Sequence, residues 1–186
     1  MAVLDTAMRA ASVEGLEGLS IGRLAAETEM SKSGLFELFG SKLELQERTL
    51  RAAIEEFRKE VWLPAQELLP GRERLLSVCD HWLSYHERGA LPGGCLMTTA
   101  AVEWDARPGP LRDLIAGVVG RWLSLLTEEV ERAVRAGDLP AAVDAGDVAF
   151  ELNALASAAS WNYRLSGDAQ ALERARRCMR RLLSRR

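Results

Sequence analysis

The sequence predicts an all-α protein, and three observations carry that expectation. Apolar residues recur at intervals of three and four along nearly the whole chain. No segment keeps up the alternation of apolar and polar residues that a half-buried strand needs. The breaks between periodic stretches are punctuated by Ser, Gly, Pro and Asp, the residues that start and stop helices. With 186 residues and 48% apolar side chains, the chain can bury a substantial core as one domain or two small ones.

Nine helices follow in order. Leu4, Ala7, Met8 and Ala11 mark the first, which stops at Gly15. Ser20 caps a second carrying Ile21, Leu24 and Ala25, with Leu19 placed to staple onto Leu24. Ser31 caps a third, where Met30 and Leu35 stand in the same relation, and Gly40 breaks it. Ser41 and Glu44 form a capping box that opens a long fourth helix, expected to run to about Leu63 and stop before Pro64. Residues 72–88 give a fifth helix, ended by the run GALPGG, and residues 95–104 a shorter sixth, ended by DARPGP. Residues 111–136 are strongly amphipathic and stop at Gly137 and Pro140; residues 144–165 and 168–184 complete the set. The expected architecture is a three-helix N-terminal module joined by the long fourth helix to a larger helical domain.

Composition narrows the function. No apolar run reaches the roughly 18 residues of a membrane span, and Asp5 and Arg9 stand where a secretory signal needs an apolar stretch, so a cytoplasmic protein with no membrane partner is expected. Three widely spaced cysteines in apolar settings read as buried thiols rather than disulfides or zinc ligands. The net charge of −3 by itself indicates neither nucleic acid nor membrane, and it hides contrasts: residues 1–50 carry five basic and eight acidic side chains, whereas residues 173–186 carry seven arginines against Glu173. No metal, cofactor or catalytic residue is expected. His81 and His86 diverge around the fifth helix, and neither a phosphate loop nor a nucleophile with a partnered base is recognisable.

The second and third helices are separated by only Glu29 and Met30, a turn that forces a steep crossing of the helix-turn-helix kind, although a packing corner has the same spacing. Residue identity favours DNA. The start of the third helix offers free backbone N–H groups, the Ser31 hydroxyl, Lys32 and Ser33 to phosphates or base edges. Gly34, a poor helix former by about 1 kcal/mol, permits close approach to a groove. Leu35 and Phe39, with Leu38 beside them, face the core, leaving Lys32, Ser33, Gly34, Phe36 and Glu37 outward.

At these residues the chain resembles the TetR/AcrR family of transcriptional regulators. The matching run is LSIGRLAAETEMSKSGLFELFGSKLEL, residues 19–45, where Leu19, Ser20, Ile21, Leu24, Ala25, Ser31, Lys32, Leu35, Phe39, Ser41 and Lys42 fall on the family's motif. Departures are Glu29, where the family usually has a turn glycine, Phe36, where it often has Tyr, and Leu38, where it has Tyr or His. The resemblance implies a helix-turn-helix DNA-binding domain over residues 1–45 and a ligand-binding and dimerisation domain over 46–186. It implies a homodimeric repressor that binds palindromic double-stranded operator DNA and is released by a small molecule. Ser20, Arg23, Lys32 and Lys42 are candidate phosphate contacts, Ser31 suits phosphate or base edge, and Ser33, Gly34 and Glu37 face bases, Glu37 as an acceptor from a cytosine amino group. The acidic N-terminal segment keeps an alternative open: a dimeric small-molecule-binding helical protein whose DNA binding is weak or lost.

For the larger domain, the resemblance implies a pocket enclosed by helices four to eight and a dimer formed by the last two. The pocket candidates are Trp62, Trp82, Tyr85 and His86, then Met97 and Trp104, then Trp122, Phe150 and Asn153, suited to a small apolar or aromatic effector; such residues also serve as plain core. The dimer candidates are Leu152, Leu155, Ala156 and Ala159 on the eighth helix and Met179 and Leu182 on the ninth. The arginines at 174, 177, 181 and 185 share one face, either solvated or paired with acids across the dimer.

Overall fold

Side-chain caps start the helices where the serines stand. Ser20 Oγ accepts from the Arg23 N–H (3.3 Å), Ser31 Oγ from the Gly34 N–H (3.0 Å) and Ser41 Oγ from the Glu44 N–H (3.1 Å), satisfying amides that a first helical turn leaves free. The structure, a computed structural model, describes residues 2–184; Arg185 of the arginine face lies outside them. Among the described residues there are nine helices and no strand: α1 Ala2–Glu14, α2 Ile21–Thr28, α3 Lys32–Phe39, α4 Lys42–Phe57, α5 Arg72–Glu87, α6 Leu96–Trp104, α7 Pro110–Arg135, α8 Ala145–Ser166 and α9 Gln170–Leu182.

The fourth helix does not stop before Pro64. It widens into a π-turn over Arg58–Trp62 and continues through Leu63–Ala65, with the Leu63 N–H donating to the Arg58 carbonyl five residues back. Proline lacks an N–H and its ring clashes with the carbonyl four residues earlier, so loosening the preceding turn lets the helix pass it.

The helices divide between two compact units. One takes the chain up to Glu56 together with Gly89–Gly117; the other takes Phe57–Arg88 and everything from Val118 on. Segment 89–117, expected in the second domain, therefore groups with the N-terminal helices, and α4 is not the sole link, because the chain passes between the units three times.

Two contacts hold that segment in the first unit. A Cβ at Gly93 would stand 1.6 Å from the Ser12 carbonyl oxygen, so only glycine permits this approach, and its N–H donates to Ser12 Oγ at 2.9 Å. On α6, Glu103 accepts from the N–H groups of Leu16 (2.8 Å) and Glu17 (2.9 Å), while Gln46 Nε2 donates to the Leu16 carbonyl at 2.9 Å. The corner after α1 thus has its backbone groups satisfied by side chains, as a buried turn requires. Leu16, Leu24, Leu35, Phe39, Leu45 and Leu50 form the core beneath it.

In the second unit, α9 packs on α8 and α5. Leu152, Ala156 and Ala159 of α8 and Met179 and Leu182 of α9 are buried within the protomer, and Leu155 is half-buried. Five of the six residues expected at the dimer face are thus covered within their own chain. Arg176 joins α9 to α5, its guanidinium bonded to Asp80 (3.2 Å), Ser84 (3.2 Å), Glu87 (2.8 Å) and Glu173 (2.6 Å). Burial opposes its charge, but the hydrogen bonds it donates to Glu87 and Glu173 outweigh that and raise its pKa. Arg174, Arg177 and Arg181 are exposed.

Candidate nucleic-acid interface and effector site

Glu29 makes the turn between α2 and α3 in the left-handed conformation (φ 57°, ψ 18°), the one residue other than glycine with positive φ among those described. That is the position where the resemblance leads one to expect glycine; a side chain there costs on the order of 1–2 kcal/mol. Beyond the turn, Leu35 and Phe39 pin α3 to the core at 0% and 3% exposure. Leu38, expected beside them, is 43% exposed instead.

The outward face carries Lys32, Ser33, Phe36 and Glu37, all exposed. Lys32 with Phe36 and Ser33 with Glu37 are each four apart, and the two pairs are neighbours, so the four side chains lie along one half of the helix surface. Lys32 makes no ion pair among the described residues, and its Nζ would lie 3.8 Å from a Cβ at Gly22, at the start of α2. Ser31 and Ser33 hydroxyls are 3.1 Å apart. Gly34 has a local reason in addition to any approach by a ligand: a Cβ there would stand 3.2 Å from the capping Ser31 Oγ.

Two expected phosphate contacts are otherwise engaged. Arg23 is bonded to Glu14 and, through Nε, to Glu27 Oε1 at 2.7 Å; these two carboxylates raise its pKa. Lys42 Nζ donates to the Glu17 carbonyl and carboxylate, both at 2.7 Å, and this bond lowers the Glu17 pKa. Their charges serve the packing of the module, leaving Lys32 as the free cation of the α3 face, next in sequence to the capping Ser31.

The expected pocket residues separate. In the second unit, Trp62, Trp82, Tyr85 and Trp122 gather round Phe57, which sequence reasoning missed. Their rings meet edge to face at 5.0–6.1 Å, the Trp82–Trp122 pair closest. The indole Nε1 of Trp122 is buried there without a hydrogen-bond acceptor. His86 lies against Tyr85 and shares a 3.2 Å hydrogen bond with Ser160; burial, and then the charge of Arg164, push its pKa down to about 4, so the ring is neutral at pH 7. Asn153 is half-buried on α8, whereas Phe150 is 67% exposed and stands outside the ring cluster. Met97 and Trp104 are on α6 in the first unit, Trp104 with a second unpartnered indole N–H. A separate cleft of about 340 Å³ is lined by Leu76, Cys79, Leu83 and Met179, with Glu73, Asp80 and Arg180 among its polar residues. Burial, followed by the charge of Asp80, pushes the Cys79 thiol up to about 12, which removes it as a nucleophile.

Among the described residues no group of His, Cys, Asp or Glu is placed to hold a metal ion, and no helix is long and apolar enough to cross a membrane. A tight two-helix corner with an exposed second helix, followed by a larger set of helices with its own core, defines a helix-turn-helix regulator with a separate helical domain. The family comparison agrees. Residues 3–49 match the model of bacterial regulatory proteins of the tetR family and residues 71–179 that of the tetracyclin repressor-like C-terminal domain, and the chain belongs to the TetR family of transcriptional regulators.

Solved structures share the fold. A TetR transcriptional regulator from Chloroflexus aurantiacus J-10-FL superposes with a TM-score of 0.91 at 25% identity, over 100% of this chain and 93% of that one. AibR in complex with isovaleryl coenzyme A and operator DNA gives 0.80 at 22% identity, over 98% and 97%. The regulator CifR, as a cysteine mutant complexed with 26-bp operator DNA, gives 0.74 at 24%, over 97% and 93%. No curated protein matches by sequence.

Proposed function

We propose that this chain is a ligand-responsive repressor that binds palindromic operator DNA as a homodimer and leaves it when a small molecule binds. The observation that carries the DNA reading is the α3 face, where Lys32 and Ser33 stand exposed and unpaired with acids at a helix-turn-helix corner. Lys32, Ser31 and Ser20 hold phosphates, and Ser33, Phe36 and Glu37 meet base edges. AibR and CifR, which share the fold, have each been seen with operator DNA, and this supports the same partner here.

Support for the homodimer comes from α8. Phe150 (67% exposed), Trp161 (52%) and Leu165 (82%), with exposed Ala154 and Ala158 between them, recur at three and four and form an uncovered apolar stripe opposite the buried face of the helix. A two-fold axis at this stripe pairs it with itself, and a homodimer carries two α3 helices, one for each half of a palindromic site.

The effector reading rests on the aromatic cluster. A small apolar or aromatic molecule carrying an acceptor atom satisfies the Trp122 N–H, and the neutral His86 sets no charge for it to match. Its entry displaces packed rings, and the fourth helix, which places Phe57 in the cluster, carries the shift along the chain to the reading module.

The test is fluorescence anisotropy with duplexes from the gene's own upstream region at about 50 and 200 mM salt. Specific binding that weakens steeply with salt is expected. Absence of a specific complex at the lower salt contradicts the repressor and favours the alternative, a dimeric ligand-binding protein with little DNA affinity, which the internal pairing of Arg23 and Lys42 favours.

A further inference from the structure

We infer that Phe36 reads the 5-methyl group of a thymine in the operator half-site, an inference that rests on the DNA-reading function proposed above. Phe36 is 57% exposed in the middle of α3, a helix held to its core by fully buried Leu35 and nearly buried Phe39. Its ring cannot donate to a phosphate or pair with a base-edge heteroatom. A partner that relieves its exposure to water must be apolar.

The neighbours of the ring limit what that partner is. Lys32 precedes it by one helical turn, Ser33 and Glu37 flank it, and neither Lys32 nor Glu37 makes an ion pair among the described residues. A protein partner would have to cover one ring ringed by a cation, a hydroxyl and a carboxylate, because Leu38 lies more than half a turn away and does not extend the patch. A major groove offers the opposite arrangement: phosphate oxygens for Lys32, base-edge donors and acceptors for Glu37 and Ser33, and a single apolar group, the thymine methyl, between them. The alternation of charge, ring and hydrogen-bonding groups on α3 fits that edge and no continuous apolar surface.

The experiment selects duplexes from a random double-stranded library with the full-length protein, then replaces each thymine of the enriched half-site, one at a time, by deoxyuridine. The replacement removes the methyl and leaves every hydrogen-bonding group in place. At one thymine per half-site, binding is expected to weaken about fourfold, the effect of uncovering one methyl. Phe36→Ala, at an exposed position, binds the thymine and uridine duplexes alike while keeping the salt dependence. Equal binding of both duplexes by the wild type at every position, or a uridine penalty that persists in Phe36→Ala, overturns the inference while leaving DNA binding intact. A selection that enriches no duplex overturns the DNA-reading function itself and this inference with it.

Discussion

Helices α3 and α8 both turn aromatic rings to solvent, and they differ in what surrounds the ring. On α3 the exposed Phe36 stands among Lys32, Ser33 and Glu37; on α8 the exposed Phe150, Trp161 and Leu165 are joined by alanines into a stripe along the helix. A single ring among hydrogen-bonding groups matches a DNA groove, where apolar groups are sparse. A continuous apolar stripe matches another protein surface, where they are dense. The same physical cost, apolar area in water, is met by different partners because the neighbouring side chains differ.

The sharpest way to break this contrast is to charge the α8 stripe. Phe150→Asp with Trp161→Asp is expected to give a folded monomer by sedimentation, with operator affinity lowered by roughly a hundredfold or more as the two half-sites uncouple. A dimer that persists removes the stripe as the interface.

The opposite face of α8 is tested through pH. His86, bonded to Ser160, has its pKa lowered from 6.5 to about 4 by burial. Between those values the unfolded chain binds the extra proton and the folded one does not. Stability is therefore fully retained above pH 6.5 and falls as pH drops towards 4, by on the order of 3 kcal/mol from this group. Urea unfolding at pH 7 and about 4.5 should show the loss, and His86→Gln should flatten it.

Next in size is the support beneath α3. Glu103→Ala leaves the amides of Leu16 and Glu17 without acceptors and is expected to cost roughly 2 kcal/mol in thermal or urea unfolding. The smallest effect has the other sign. Glu29→Gly relieves the left-handed turn and should raise stability by up to about 1 kcal/mol, the entropy of glycine offsetting part of the gain. It also removes an acid near the reading helix, so binding at low salt should tighten.

The two helices were unequally legible in the sequence. On α3 Leu35 and Phe39, four apart, mark the inward face, so Lys32, Ser33, Phe36 and Glu37 could be read as outward from period, whereas Leu38 was read as inward and is exposed. On α8 residues 154–161 are all apolar or small, and period could not tell the face against α9 from the face left open; Leu152, Ala156 and Ala159 went inside and Phe150 outside. Helix starts were readable because Ser20, Ser31 and Ser41 act within three residues of themselves. Partners far away in the chain were not. Glu103 meets residues 86 and 87 positions away, and Lys42 meets Glu17 at 25, so neither the clamp on the α1 corner nor the neutralised cations had a local signature. The π-turn before Pro64 was hidden for a related reason: its stretch reads as ordinary helix up to the proline, and only the continuation beyond it demands the wider turn.

The claim on which the account turns is that the outward face of α3 meets DNA, and Lys32 is its free cation. Operator affinity measured across a series of salt concentrations for the wild type and Lys32→Ala tests this most directly. The variant is predicted to bind all sequences more weakly and to show a log–log salt slope shallower by about 1; an unchanged affinity and slope would contradict it.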